Sequence, residues 1–441
     1  MFDRRLLANF DWALFFNVLA IAVLGVVTIH SASRGYAESS DYWLRQLYWL
    51  GLGLVTAFCV LLVDFRSIGR WAYVLHGGVV VALIWLLAVN HGNGGPVNRW
   101  FHLGPVAVQP SEFAKFTAVL AIAYYFRDSR RVGDLGVRGI LVPALLVLVP
   151  FFLIVQQPDL GTALLLAMVF FPLIVLAGVR LRLMLYLAVA AVVAVGLLVA
   201  AFRFGYYRID ANVTGYAQTA FGRSELTAAV RALEGRRFFR AAALEQALEA
   251  ATDGPADDAR SARIAERAFR PYISHVLRPY QQRRLVTFLN PDRDPLGAGY
   301  HVIQSKVAIG SGQFWGKGYG ESTQGSLNFL PARHTDFIFS IFAEEWGFLG
   351  ALVLMTLYGT FVWRGLTIIL QTHDRFSAFL TLGVLSIVVS QVIVSIGMSL
   401  GLLPVVGVPL PFFSYGGSAM ISMMFGVGLL LNIRMRRFLW T

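Results

Sequence analysis

The polar residues that interrupt this largely apolar chain gather at four places. The richest run begins at Asn290-Pro291-Asp292 and Asp294-Pro295-Leu296-Gly297. It continues through Gln304-Ser305-Lys306, Gly310-Ser311-Gly312, Gly316-Lys317-Gly318 and Thr323-Gln324 to Arg333-His334-Thr335-Asp336. Asp336 stands at the mouth of an apolar stretch, beside Arg333 and His334. Desolvation at such an entrance favours the neutral acid, and a neighbouring cation favours the carboxylate. That balance suits a general base that must take a hydroxyl proton near neutral pH. Helix capping is the alternative, because Thr335 and Asp336 both suit an N-terminus. Within the stretch that follows, Glu344 and Glu345 are expected to be buried, at least one of them paired internally.

The second place reads Gly95-Pro96-Val97-Asn98-Arg99-Trp100, then Gln109-Pro110-Ser111-Glu112-Phe113-Ala114-Lys115. Pro110 suits the start of a helix, and Ser111 and Glu112 its first turn. Glu112 and Lys115 share one face. They form either a self-neutralising ion pair or a polar wall of a membrane-embedded cavity, since charge near a span is costly unless paired or wet. The third place, Gln156-Gln157-Pro158-Asp159-Leu160-Gly161-Thr162, offers Asp159 as a helix initiator or a cavity group. The fourth holds Pro404, Gly407, Pro409 and Pro411, then Phe412-Phe413-Ser414-Tyr415-Gly416-Gly417-Ser418. Prolines block helix there. The N–H groups at Gly416 and Gly417 would suit a phosphate, although small residues serve close helix packing equally well.

Of 37 basic residues only Lys115, Lys306 and Lys317 are lysines. Where charge alone matters this chain uses arginine, so a compact ammonium marks a candidate. These groups describe a membrane cavity with cations, a glycine-rich backbone and one strategic carboxylate. They fit a lipid-phosphate substrate without identifying a reaction.

The elements that must hold them are membrane helices. Of the 441 residues 57% are hydrophobic and 14% charged, and mean hydropathy is +0.64, too little charge to cover soluble domains. A helix needs roughly 20 apolar residues to cross the hydrocarbon core. Candidate spans run near 11–31, 46–64, 72–90, 112–126, 139–156, 161–178, 183–203, 337–362, 376–398 and 412–433. The expected fold is therefore an all-α polytopic membrane protein of about ten transmembrane helices. The first run lacks a small-residue cleavage site after it and reads as a retained span. Cys59, the single cysteine, excludes a disulfide within the chain and is expected to be a buried thiol.

The net charge of +12 is not a nucleic-acid surface. Its arginines lie in short segments between alternate spans: Arg4 and Arg5, Arg66 and Arg70, Arg127 to Arg138, Arg180 and Arg182, Arg364 and Arg375, and Arg434 to Arg437. This pattern faces anionic bilayer lipids on the cytoplasmic side and puts both termini there. Residues 1–203 then hold spans one to seven, and 337–441 hold spans eight to ten. Residues 204–336 form one large extracytoplasmic loop, too long for a linker. Ser224 to Phe269 reads as two amphipathic helices broken at Asp253-Gly254-Pro255.

The strings Arg99-Trp100, Gln109-Pro110-Ser111-Glu112, Asp159-Leu160-Gly161, Asn290 to Phe339 and Pro404 to Ser418 resemble the shape, elongation, division and sporulation family. Thr323-Gln324 and Arg333-His334-Thr335-Asp336 are closer to its elongation branch than to its division branch. The resemblance implies a peptidoglycan glycosyltransferase that polymerises lipid II in the bacterial cell membrane. It also implies a class B penicillin-binding protein as transpeptidase partner. The family's proposed catalytic aspartate carries over onto Asp336, which would deprotonate an acceptor sugar hydroxyl for attack on the donor's anomeric carbon. Undecaprenyl pyrophosphate would leave, its charge stabilised by Arg99, Lys115, Lys306 or a divalent cation such as Mg or Mn. Gln109, Glu112, Asp159, Lys317, Gln324, Arg333, His334, Thr335, Ser414, Gly416 and Gly417 complete the expected substrate site.

Two departures stand out. Ala332 occupies a position where such proteins commonly carry Glu, and residues 208–270 look like an insertion. Two rival functions remain: a flippase that transports lipid II unchanged, and a non-catalytic scaffold for a cell-wall synthase. A transporter favours ionisable groups near the midplane, whereas these motifs sit at the ends of spans.

Overall fold

A computed structural model describes residues 9–33, 41–92, 99–103, 106–128, 137–180, 206–209, 225–233, 239–250, 269–271, 298–323 and 334–437, with isolated positions at 182, 186, 189, 193, 196, 197, 236, 284 and 288. It divides into two compact units: residues 1–183 with 291–441, and residues 184–290.

In the first unit α1 (Trp12–Ser33), α2 (Tyr42–Leu62), the short α3 (Phe65–Arg70) and α4 (Ala72–Gly92) lead to a hairpin of β1 (Phe101–Leu103) and β2 (Val106–Val108). There follow α5 (Pro110–Tyr125), α6 (Val137–Gln156) and α7 (Leu160–Leu176). In the second unit lie β3 (Tyr206–Ile209), α8 (Glu225–Leu233), β4 (Phe239–Arg240), α9 (Ala241–Glu249) and β5 (Phe269–Pro271). The first unit resumes with α10 (Ala298–Ser311), α11 (Ile338–Leu370), α12 (Arg375–Ser399) and α13 (Gly417–Arg436). Among the described residues seven helices, α1, α2, α4, α6, α11, α12 and α13, are long and apolar enough to cross a membrane. The chain is thus a mostly helical, polytopic membrane protein. The expected seventh span falls largely outside the described residues.

Close helix contact relies on small residues. The α13 helix lies along α2, where Gly53 leaves room for the Met424 side chain (a β-carbon there would meet Cγ at 2.8 Å) and Gly428 abuts the Ala57 backbone. Gly25 of α1 lies on the backbone of Phe413.

Several expectations need correction. The last helix starts at Gly417, not 412, because Pro409 and Pro411 and a left-handed Phe412 (φ 62°) hold the preceding residues in a compact loop. Cys59 is exposed on α2, since an apolar span residue faces lipid as readily as core. The fold is not purely helical. The hairpin pairs Phe101 with Val108, and the second unit holds an antiparallel sheet of order β4-β3-β5, short strands below the length at which periodicity is legible. Within the stretch 224–269 the described helices α8 and α9 both precede residue 250; the expected break at 253–255 lies outside the described residues.

The 33-residue α11 is broken at Gly347 (φ 63°, ψ −162°), a conformation essentially confined to glycine. The break releases backbone groups, and the glycine-rich segment after α10 takes them up. Lys317 and Gly318 donate N–H to the carbonyls of Glu344 and Glu345 (both 3.0 Å), while Phe348 and Leu349 donate to those of Gln313 (2.8 Å) and Phe314 (3.1 Å). Glu344 pairs with Lys317 (2.6 Å) and Glu345 accepts from Ser31, so both acids are buried and bonded. Gly316 and Gly347 meet backbone to backbone with no space for a β-carbon. Replacing Gly347 by Ala is expected to destabilise by about 1–3 kcal/mol and to lower the Tm of the purified protein. Gly359→Ala in the same helix, where a β-carbon meets nothing within 4 Å, should leave the Tm unchanged or raise it by helix propensity.

Candidate active-site cavity

A cavity of about 520 Å³ opens at one end of the first unit. Its polar wall is built from helix beginnings. Gln109 precedes and Glu112 opens α5; Asp159 precedes and Thr162 opens α7; Thr335 and Asp336 lead into α11; Gly416 and Gly417 start α13. Four helix N-termini therefore converge on one space. Each carries roughly half a positive charge from its aligned peptide dipoles, and its leading N–H groups lack intrahelical acceptors. Such a space favours an anion.

Asp159 is held by four donors: the Thr162 N–H (3.2 Å) and hydroxyl (2.9 Å), the Gln109 amide (2.9 Å) and the Ser111 hydroxyl (3.3 Å). It caps α7 and ties it to α5, so its lone pairs are committed to the frame. Glu112 accepts from the fully buried Lys115 (2.9 Å) and from Ser422 (3.4 Å). The ion pair and the cavity wall are one arrangement: Glu112 faces the cavity and Lys115 supports it from behind. Removing one member of a buried pair typically costs about 3–5 kcal/mol. One arm of Arg99 donates to the Pro158 carbonyl (2.8 Å), fixing the guanidinium at the wall beside Trp100.

Asp336 is half-buried at the loop–helix junction. It does not act as N-cap; Phe337 occupies that position, and no side chain caps α11. The Asp336 carboxylate lies over Gly407, where a β-carbon would stand 3.4 Å from Oδ2. Gly407 (φ 74°) begins the turn that brings Pro409, Tyr415 and Gly416 round the cavity.

Other expected residues lie elsewhere. The His334 ring stacks on Tyr42 (4.4 Å) and its carbonyl accepts from the Tyr415 N–H (2.9 Å), anchoring the loop rather than lining the cavity. Ser414 is buried within that loop; its hydroxyl accepts from Leu410 N–H (2.8 Å) and its carbonyl from Gln46 (3.0 Å). Lys306 is exposed on α10 with its stem over Gly401, and Lys317 is the partner of Glu344; neither lines the cavity. Gln324 and Arg333 lie outside the described residues. Trp49 of α2 and Tyr415 line the cavity but carry no distinguishing signal in the sequence, because an aromatic in or beside a span reads as ordinary packing. Among the described residues no three His, Cys, Asp or Glu side chains converge as a metal site.

The model of the FtsW/RodA/SpoVE family, described as cell cycle protein, matches residues 11–220 and 264–438. The stretch it passes over lies inside residues 208–270. The peptidoglycan glycosyltransferase RodA of Treponema pallidum is 32% identical over 453 residues, covering 98% of this chain and 99% of that protein. The peptidoglycan glycosyltransferase MrdB of Escherichia coli K12 is 33% identical over 431 residues, covering 97% and 94%. Among solved structures, one described as a peptidoglycan synthase complex coordinating polymerization and crosslinking aligns with a TM-score of 0.67 at 28% identity, over 97% of this chain and 98% of that one. The rod shape determining protein RodA of Thermus thermophilus aligns with a TM-score of 0.60 at 26% identity, also over 97% and 98%. Because the match takes in the membrane helices and the residues that line the cavity, the chain belongs to the FtsW/RodA/SpoVE family of cell cycle proteins.

Proposed function

We propose that this chain is a peptidoglycan glycosyltransferase that polymerises lipid II during cell elongation. The observation that carries the reading is the meeting of Asp336, Arg99, Glu112 and four helix N-termini around one cavity. Asp336 takes the proton of the acceptor sugar hydroxyl. The hydroxyl oxygen bonds to the donor's anomeric carbon as the bond from that carbon to the diphosphate oxygen breaks. Undecaprenyl pyrophosphate leaves with the electron pair. Arg99 and the first turn of α13 stabilise its charge as it develops. Glu112, positioned by Lys115, accepts hydrogen bonds from the sugar, and Trp49, Trp100 and Tyr415 supply flat apolar walls. Asp159 and Oε2 of Glu112 are committed to internal donors, and no three acidic, imidazole or thiol side chains converge among the described residues, so these residues do not fit a protein-built cage for a divalent cation. In this reading Mg or Mn arrives with the pyrophosphate.

The topology proposed is ten spans with both termini in the cytoplasm and residues 204–336 outside, which places the cavity at the outer ends of the spans in the bacterial cell membrane. A class B penicillin-binding protein is the proposed partner; the likeness to a chain of a synthase complex supports it. A flippase would need its polar groups near the midplane, and here they stand where helices begin.

Polymerisation of lipid II by the purified protein with its partner tests the assignment, in detergent so that transport cannot contribute. Asp336→Ala and Asp336→Asn are each expected to slow glycan formation by about 10²–10⁴-fold with folding and partner binding retained. Glycan formation at the unmodified rate would reject Asp336 as the base and favour the scaffold. A second comparison separates cavity cations from remote ones. Arg99→Gln should slow polymerisation by about 10²-fold, while Lys306→Gln on the exposed face of α10 should stay within about twofold.

A further inference from the structure

Tyr42, Gln46, Trp49 and Gly53 are spaced four, three and four apart at the start of α2, which places them on one helix face. Each meets the segment that builds the cavity or the helix that follows it. Gly53 packs on Met424 of α13, and the Trp49 ring lies over Gly417. Gln46, fully buried, donates to the Ser414 carbonyl (3.0 Å) and accepts at Oε1 from the Gly416 N–H (3.3 Å). Tyr42 reaches a different segment as well. Its ring stacks on His334 (centroids 4.4 Å apart, planes at 19°) and tilts against Tyr415 (4.9 Å).

Thr335 and Asp336 line the cavity between two anchors. On one side Phe337 is buried in the core, its ring 6.3 Å from that of His301. On the other, His334 is held by its carbonyl, which accepts from the Tyr415 N–H (2.9 Å), and by its ring, stacked on Tyr42 and edge-on to Tyr415 (5.9 Å, 73°). A flat stack fixes the plane and offset of both rings, so it sets the course of the backbone two residues before the acid. An aliphatic side chain would fill the same space without setting that plane. Displacing a reacting group by about 1 Å can cost about 10²-fold in rate. Tyr42 itself does not line the cavity.

We infer that Tyr42 is a positioning residue for glycosyl transfer, holding Asp336 at the cavity wall through its stack on His334. Gln46, one turn along the same face, holds the start of α13. The first turns of α2 therefore set the spacing between the acid and the helix start that faces the leaving group. The inference rests on the reading of Asp336 as the base.

Steady-state polymerisation of lipid II by the full chain with its partner, in detergent, tests this. Tyr42→Leu is expected to lower kcat by about 10–10²-fold with KM within about twofold, and Tyr42→Phe, which keeps the ring, to restore kcat to within about twofold. His334→Leu removes the other ring, leaves α2 intact and should give a similar loss of kcat. The two changes together should cost no more than either alone, because both act through one stack. Tyr48→Leu, at an exposed position of α2, should change nothing. A kcat for Tyr42→Leu within threefold of the unmodified chain overturns the inference, and so does a loss that Tyr42→Phe shares. Should Tyr42→Leu not fold, His334→Leu decides alone, and a kcat within threefold overturns it there. A rise in KM at constant kcat overturns it as well, since Tyr42 would then bind substrate. So do losses that multiply in the double variant. Asp336→Asn, measured alongside, separates the two readings: if it is slow while Tyr42→Leu is not, only the role of Tyr42 fails, and if it is fast, the base assignment fails first.

Discussion

Inside a bilayer, a backbone N–H or C=O without a helical partner must find one within the protein, and this chain meets that demand in two places. The first is the loop from Pro404 to Gly416. Ser414 closes it on itself through the Leu410 N–H, Tyr358 donates to the Pro411 carbonyl (2.6 Å), and Gln46 donates to the Ser414 carbonyl. The second is the break in α11 at Gly347, where residues 313–318 pair backbone to backbone with both sides of the kink. The first of these loops supplies Gly407, Pro409, Tyr415 and Gly416 to the cavity wall.

The same constraint organises the charge. Four helices begin at the cavity, so their unpaired N–H groups and positive dipole ends gather where an anion can satisfy them. Carboxylates at that end then have two fates. Asp159 is consumed by neighbouring donors, Glu112 is tied to Lys115 and Ser422 through Oε2, and together they hold α5, α7 and α13 in register. Asp336 stands at the junction that leads into α11, before the Phe337 N-cap and over a glycine that lets the carboxylate approach the loop. The frame therefore neutralises the acids that position helices and sets a half-exposed acid at the rim.

Much of this was legible in the sequence, for reasons specific to particular residues. Spans are read from long apolar runs, and Pro110, Asp159 and the prolines before Gly417 mark helix starts, so the wall of the cavity is visible as punctuation. Lysine scarcity was a less discriminating signal. It singled out Lys115, Lys306 and Lys317 alike, although one supports Glu112, one lies over Gly401, and one neutralises Glu344. An ammonium chosen to pair a buried carboxylate looks the same in sequence as one chosen for a phosphate. The Gly310-to-Gly318 run counted as glycine-rich cavity backbone for a similar reason: glycine permits close approach of any backbone, and here the approaching backbone is α11. Trp49, Tyr415 and the exposed Cys59 could not be placed, because apolarity alone does not say which face of a span meets core, cavity or lipid.

The position of the cavity bears on what kind of chemistry it can host. A carrier must expose its site alternately to two sides, which calls for binding groups near the middle of the membrane and helices broken there. In this chain the polar wall coincides with helix starts, and each of those helices then continues away from the cavity. Such a site accepts a headgroup from one end only while the lipid tail stays among the spans. A donor sugar already linked to pyrophosphate has its leaving group and its reactive carbon within one headgroup. It needs an anion-stabilising frame and a base on the same side, the parts that the proposed reading gives to the four helix starts and to Asp336.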